Sequence, residues 1–312
     1  MGTKSEANQL NEKPGFNIWW RLLRPHTLTA SFIPVFVGTM LAVLSDSFHL
    51  VTFLTMLLAS MLIQAATNMF NEYYDFVRGL DNEKSVGIGG TIVRDGIKPV
   101  VVKRLAFTFY GIAILLGIYI CIVSSWWIAV IGIICMVIGY LYTGGPLPIA
   151  YTPFGELFSG FLMGTFIIGI SYYIQTLSIS WQVIVISIPI AILIGCILLA
   201  NNIRDLDGDK ENGRKTLAIL VGRKKAIYLL SSLMMLSYAL TAAFIIAGLL
   251  PIYSVISYLS IPKARQAIQI FQANTTNIGM MPAMGATAKT NTFYGALIGL
   301  SLLLQILFPI PL

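Results

Sequence analysis

Charge is what this chain has least of. Only 11% of its 312 residues are Asp, Glu, Lys or Arg, against about 25% in soluble domains, while 57% are hydrophobic and the mean hydropathy is +0.81. That balance excludes a water-soluble enzyme and makes a multi-span membrane protein the default. Soft metal ligands are scarce too: there are three cysteines, Cys121, Cys135 and Cys196, and two isolated histidines, His26 and His49. The cysteines sit singly in apolar runs with no C-x-x-C spacing, so they read as small buried hydrophobes, not as a disulfide framework or thiolate metal site. The N-terminus is polar to about Asn17 and lacks a short apolar core followed by a small-residue cleavage site, so no removable signal peptide is expected.

Apolar runs of crossing length are abundant. A bilayer core of about 30 Å needs roughly 20 apolar helical residues. Such runs lie near 28–45, 50–70, 104–123, 126–142, 156–177, 182–203, 226–247, 249–262 and 293–310. The expected fold is all-α, about nine transmembrane helices around a central cavity, with a polar cytoplasmic tail over 1–19 and one transmembrane domain over 20–312. The eighth run is short, and the polar stretch 263–292 is long for a connector, suited to a cytoplasmic helix or lid. If the spans alternate, all 20 Lys and Arg fall on the N-terminal side, and Asp46 and His49 stand alone opposite. The positive-inside rule makes the basic face cytoplasmic. The net charge of +7 is therefore a topology signal, and neither nucleic acid nor an obligate protein partner is expected.

Twelve of the thirteen acidic residues also lie on or beside that face, most of them in two clusters. In the first, Gln64, Asn68, Asn71 and Asp75 are spaced to share one face of the second helix as it leaves the membrane. Gly79 permits a break that swings Asp81 back toward the same space. In the second, Asn201, Asp205 and Asp209 form a stripe at the end of the sixth helix, with Asp207 and Glu211 pointing off it. Both stripes begin Asn-x-x-x-Asp, as two halves of one site would. Facing carboxylates repel and are costly near a membrane unless paired or coordinated. Divalent cations resolve that conflict, and hard oxygen ligands with amide companions suit Mg²⁺, completed by water and phosphate. Lys84, Arg94, Lys98, Arg204, Lys215 and Arg223 are near enough in sequence to serve as phosphate donors. Either cluster alone also fits an ordinary solvated helix end with surface ion pairs; the duplication favours a site.

At these residues the sequence resembles the UbiA superfamily of intramembrane prenyltransferases, whose signatures are an N-x-x-x-D-x-x-x-D-like motif after the second helix and D-x-x-x-D after the sixth. The resemblance covers essentially Trp20 to Leu312. Arg24-Pro-His-Thr-Leu28, Asp75-Phe-Val-Arg-Gly79-Leu-Asp81, Gly87-Ile-Gly-Gly-Thr-Ile-Val-Arg94-Asp-Gly96, Tyr142-Thr-Gly-Gly-Pro146-Leu-Pro148, Thr216-Leu-Ala and Thr287-Ala-Lys289-Thr-Asn-Thr look like the branch that prenylates 1,4-dihydroxy-2-naphthoate for menaquinone synthesis. Gly79 stands where many members carry the second aspartate, Asp81 being displaced by two, and Glu72 replaces an aspartate off the stripe, with little consequence expected.

The resemblance implies an enzyme of the cytoplasmic membrane with its active site on the cytoplasmic side, taking an allylic polyprenyl diphosphate and 1,4-dihydroxy-2-naphthoate and releasing diphosphate and CO₂. Asn71, Asp75, Asp81, Asn201, Asp205 and Asp209 would carry Mg²⁺ and catalysis, with Lys84, Arg94, Lys98, Arg204 and Lys215 on the diphosphate. Arg24, Asn68, Tyr142 and Lys289 would bind the acceptor or shield the prenyl cation. Tyr140, Tyr151 and Phe154 are weaker candidates for that shield, since aromatics commonly anchor spans at the interface. Two rivals remain: the same chemistry on another aromatic or lipid acceptor, and a cation-coupled secondary transporter. The transporter predicts ionisable groups near the bilayer midplane, whereas these carboxylates cluster at one interface.

Overall fold

A computed structural model describes residues 16–81, 90–146 and 148–310, which are helical throughout their regular parts. In chain order the helices are α1 (Phe16–Leu23), α2 (Pro25–Leu44), α3 (Leu50–Val77), α4 (Thr91–Asp95), α5 (Pro99–Val123), α6 (Trp127–Leu141), α7 (Gly155–Ser159), α8 (Ile167–Thr176), α9 (Trp181–Arg204), α10 (Leu206–Glu211), α11 (Leu217–Val221), α12 (Arg223–Ile246), α13 (Ile261–Ala273) and α14 (Asn277–Leu307). A π-helical stretch, Gly160–Phe166, joins α7 to α8, and a 3₁₀ stretch, Ile252–Ser260, precedes α13. Pro25 and Pro99 open α2 and α5, positions where the missing N–H costs nothing.

Among the described residues, seven spans are long and apolar enough to cross a membrane: Thr27–Leu44, Leu50–Val77, Pro99–Val123, Gly155–Thr176, Trp181–Arg204, Arg223–Ile246 and Asn277–Leu307. The other two expected crossings differ. The fourth is α6, apolar but only 15 residues long. The eighth is no α-helix over 249–262, because Ser254, Ser257 and Ser260 recur every third residue and align on one edge of the 3₁₀ helix. All three are fully buried, with Ser254 against Ser301 (2.9 Å) and Ser260 against the Tyr238 hydroxyl (2.7 Å). Such short polar contacts join helices where lipid offers no competing water.

The last span begins well before residue 293, so the second half of the stretch 263–292 belongs to it and most of the first half forms α13. Its polar residues concealed this. Thr287, Thr290 and Thr292 each donate to a carbonyl four residues back at 2.9 Å, so hydroxyls that lower hydropathy are satisfied inside the helix.

One packed core joins α2, α8, α9, α12, α13 and α14, and a smaller one joins α1, α3, α4 and α5. Close approach drives the first: a Cβ on Gly160 or Gly164 would stand 2.5 Å from Ala191 of α9, a small-residue seam of the kind membrane helices use. By contrast α6 buries none of its residues. Between it, α3 and α5 on one side and α2, α7–α8 and α9 on the other lies a cavity of about 460 Å³.

Candidate active site

The cavity has a polar mouth and an apolar body. Arg24, Thr27, Asn68, Asn71, Tyr142 and Asn201 line one end; Ala113, Gly117, Trp126, Ile128, Gly132 and Ile170 line the rest. The mouth is built from the ends of α3 and α9. In α3 the helix carries Asn68, Asn71 and Asp75 on one face, then ends at Gly79, whose φ of 73° is the left-handed conformation glycine tolerates. The amides of Leu80 and Asp81 both turn back to the Asp75 carbonyl (2.8 and 3.1 Å), which returns Asp81 to the stripe. In the second half, the amides of Asp205 and Asp209 bond to the carbonyls of Asn201 and Asp205 (3.0 and 2.9 Å), so the stripe runs unbroken from α9 into α10.

One guanidinium shows that the two stripes meet. Arg214 donates from Nη2 to Asp75 Oδ1 (2.6 Å) and from Nη1 to Asp209 Oδ1 (3.1 Å), bridging aspartates of both halves. Arg204, itself buried, donates from Nε to Asp205 Oδ1 (2.6 Å) and pairs with the other oxygen through Nη2. Asn71, with its amide oriented to suit its neighbours, donates to Asp75 Oδ2 (2.7 Å) and accepts from Arg24 Nη1 (3.2 Å). Arg24 reaches this position from a left-handed backbone (φ 51°, ψ 65°) at the break between α1 and α2. A side-chain-bearing residue held there costs of order 1–3 kcal/mol and marks a position fixed by its surroundings.

Electrostatics follow from that crowding. Burial, then the Asp75 charge, pushes Asp81 up to about 6, against the pull of Arg24. Burial also pushes Asp209 up to about 7; Asp205 and Asp75 add to the rise, while Arg214 and Arg204 oppose it. Burial alone would lower Arg214, but Asp75 and Asp209 outweigh it and hold the guanidinium above its ordinary value. The Tyr142 phenol is raised by burial and by Glu156.

The remaining candidates divide. Asn68 lines the cavity but is spent on architecture, donating to the Leu23 carbonyl (3.0 Å) and to Thr27 (2.9 Å) and so fixing the α1–α2 corner that aims Arg24. Arg94 on α4, Lys98 before α5 and Lys215 before α11 are exposed, and Lys84 lies outside the described residues. Lys289 is exposed on α14 and is not among the residues lining the cavity. Of the aromatics, Tyr142 lines the cavity; Tyr140 is hydrogen-bonded to Tyr74, and Phe154 is exposed. Asp207 points outward to Arg223, as its register implies. Glu72, expected to matter little, is fully buried and accepts from Thr91 and from the Ile92 amide (3.1 Å), stapling α4 to α3.

Sequence reasoning missed Arg214 and Arg78, and it proposed Tyr151 only as a weaker candidate for the cation shield. Arg78 donates to the carbonyls of Thr143 and Gly145 (the latter at 2.8 Å) and so holds the loop after Tyr142. Both guanidiniums lie over the Tyr151 ring, at 5.4 Å for Arg78 and 5.0 Å for Arg214. The available signal was the arginine in each cluster, five residues after Asp209 and three after Asp75.

The donor set suits a hard divalent cation. It is all carboxylate and amide oxygen, it already attracts a cationic side chain to its centre, and the buried Asn201 Oδ1 has no hydrogen-bond partner. Among the described residues no group of three or more His, Cys, Asp or Glu side chains converges closely enough to hold an ion alone.

Paired acidic stripes above an apolar chamber, in a multi-pass helical bundle, define a class of intramembrane enzyme that works on a polar head with a long greasy tail. Comparison with known proteins agrees: the UbiA prenyltransferase family model matches residues 31–277, and the chain belongs to that family. It is 56% identical to the 1,4-dihydroxy-2-naphthoate octaprenyltransferase of Bacillus subtilis over 97% of both chains. It is 31% identical to the UbiA prenyltransferase domain-containing protein 1 homolog of Drosophila melanogaster, covering 88% of this chain and 76% of that one. Among solved structures, the apo UbiA homolog of Aeropyrum pernix superposes with a TM-score of 0.68 at 15% identity, over 90% of this chain and 98% of that one. The Archaeoglobus fulgidus homolog bound to DMAPP and Mg²⁺ gives 0.58 at 18% identity, over 90% and 98%.

Proposed function

We propose that this chain transfers a polyprenyl group from an allylic polyprenyl diphosphate to 1,4-dihydroxy-2-naphthoate, releasing diphosphate and CO₂ and giving demethylmenaquinol. The observation that carries the reading is the Arg214 bridge, which puts Asp75 and Asp209 within reach of one cation at the cavity mouth; the similarity to the Bacillus subtilis enzyme supports the acceptor.

Asp75, Asp81, Asp205 and Asp209, with the amides of Asn71 and Asn201, would hold Mg²⁺, which supplies positive charge to the diphosphate as it leaves. Arg24 and Arg214 add guanidinium donors at the same mouth. The allylic C–O bond breaks with its electron pair going to diphosphate. The ring carbon bearing the carboxylate closes the new C–C bond, and loss of CO₂ returns the electrons to the ring. The apolar walls keep water from the allylic cation, and the Tyr142 ring faces the space where positive charge develops. The prenyl chain runs down the cavity and leaves between α6 and α8. There a second apolar cavity of about 320 Å³ shares Ile128 and Ile170 with the first. The basic face, and with it the site, lies on the cytoplasmic side of the cell membrane.

The test is turnover by purified protein with Mg²⁺, an allylic polyprenyl diphosphate and a panel of acceptors including 1,4-dihydroxy-2-naphthoate and 4-hydroxybenzoate. Prenylated naphthoquinol, lost on adding EDTA, is expected. Preference for another acceptor overturns the substrate, and substrate uptake into proteoliposomes without covalent product overturns the enzyme.

A further inference from the structure

Arg214 stands where the metal reading puts a cation. Its guanidinium spans the stripes, bonded to Asp75 at 2.6 Å and to Asp209 at 3.1 Å, and its side chain is only 12% exposed. Its main chain is pinned: the Arg214 amide donates to the Asp209 carbonyl (3.0 Å) and the Lys215 amide to the Tyr151 carbonyl (3.0 Å). The side chain is held through its guanidinium end. Its Nε is buried without a partner, and its flat face rests on the Tyr151 ring, with the Tyr151 side chain also hydrogen-bonded to it. Arg204 differs, since among the described residues it pairs with its own neighbour Asp205 and bridges no second carboxylate.

We infer that Arg214 is an exchangeable counterion. In the metal-free enzyme it holds the acidic stripes together, and a divalent cation binds Asp75 and Asp209 only by displacing it. The inference rests on the proposed divalent-cation site but not on the identity of the acceptor. It follows from competition: a carboxylate oxygen engaged with guanidinium N–H groups offers less to a metal, so every ion bound must first break a charge-assisted pair. The displaced guanidinium, tethered by its fixed main chain, then needs another anion at the mouth, which a diphosphate supplies. Metal and diphosphate therefore reinforce each other's binding through this one residue, a coupling that acts equally in both directions. Arg214 is thus a positioning residue for the metal, keeping the empty site assembled and discouraging occupancy before the donor arrives.

The test is calorimetric titration of Mg²⁺ alone into detergent-solubilised wild type, Arg214→Gln and Arg214→Lys, without acceptor or prenyl donor. Losing the competitor should tighten Mg²⁺ binding by Arg214→Gln about tenfold or more, the lower end of coupling measured for close charge pairs, while its melting temperature without metal falls. Arg214→Lys keeps the charge but cannot fork across two carboxylates, so its affinity should lie between the two; it carries the test alone if the Gln variant does not fold. Saturating inorganic diphosphate should tighten Mg²⁺ binding more in wild type than in either variant. Unchanged or weaker Mg²⁺ binding by the folded variants overturns the exchange while leaving the metal site standing. Absence of Mg²⁺ binding in wild type as well overturns both.

Discussion

Replacing Asp75 by Asn should separate catalysis from stability, and the site geometry sets both magnitudes. Asp75 gains from Arg214, whose contact at 2.6 Å places the charge centres about 4 Å apart, worth roughly 4 kcal/mol at an effective dielectric of about 20. Against this stand Asp81, Asp205 and Asp209, carboxylates at the same mouth whose repulsion opposes that attraction. An uncharged isostere removes attraction and repulsion together and keeps an oxygen for Arg214. The metal-free fold should therefore lose less than the roughly 4 kcal/mol of the Arg214 attraction. Catalysis has no such compensation. Taking one preorganised charge from a site that stabilises a departing anion costs on the order of 10²–10³ in kcat. The assays are turnover at saturating donor and acceptor, and thermal unfolding in EDTA, on the same preparation. Wild-type turnover by Asp75→Asn would refute the two-stripe site, and so would a loss of activity no larger than the fraction unfolded.

Two further outcomes follow from the same structure. Asp81 and Asp209, held near 6 and 7 by burial, bind protons in the folded state that they release in the unfolded chain. Their contribution to metal-free stability is complete below about pH 4 and lost as pH rises to about 7, while metal needs both carboxylates ionised; the rise in melting temperature on adding Mg²⁺ should therefore widen from pH 5.5 to 8, and a pH-independent increment would contradict the placement of these two groups. Gly132 lines the cavity and a side chain there meets open space, so Gly132→Leu should fold at least as well, a helical glycine costing roughly 0.5–1 kcal/mol; it should slow transfer of long prenyl donors more than geranyl, a shift in chain-length preference read from kcat/KM, and equal slowing of all donors would place the tail elsewhere.

The stripes were legible because their logic is local. Four-residue spacing puts Asn201, Asp205 and Asp209 on one face whatever the rest of the chain does, and Gly79 announces the turn that returns Asp81 to Asp75. The spans were legible for the same reason wherever apolar residues dominate a window. They failed where polarity is satisfied internally, as in α14 with its back-bonded threonines, or where a three-residue serine repeat selects 3₁₀ geometry, as in Ile252–Ser260. In both, hydropathy measures the side chain in isolation and not the hydrogen bond that buries it.

The cations were harder to read, because an arginine's role depends on which anion the fold delivers to it. Lys98 and Lys215 were expected on the diphosphate and Lys289 at the acceptor, yet the structure leaves all three exposed and draws Arg214 inward. The difference is physical. A lysine ammonium is a strongly hydrated point charge on a flexible stem, while a guanidinium is weakly hydrated and forked, so only the latter satisfies two carboxylates from different helices at low desolvation cost. Arg214 between Asp75 and Asp209 shows this directly, and Arg204 forks onto both oxygens of one carboxylate, Asp205. A cluster of carboxylates partly withdrawn from water therefore selects arginine as its resident partner, while Lys98 and Lys215 in the neighbouring segments stay exposed.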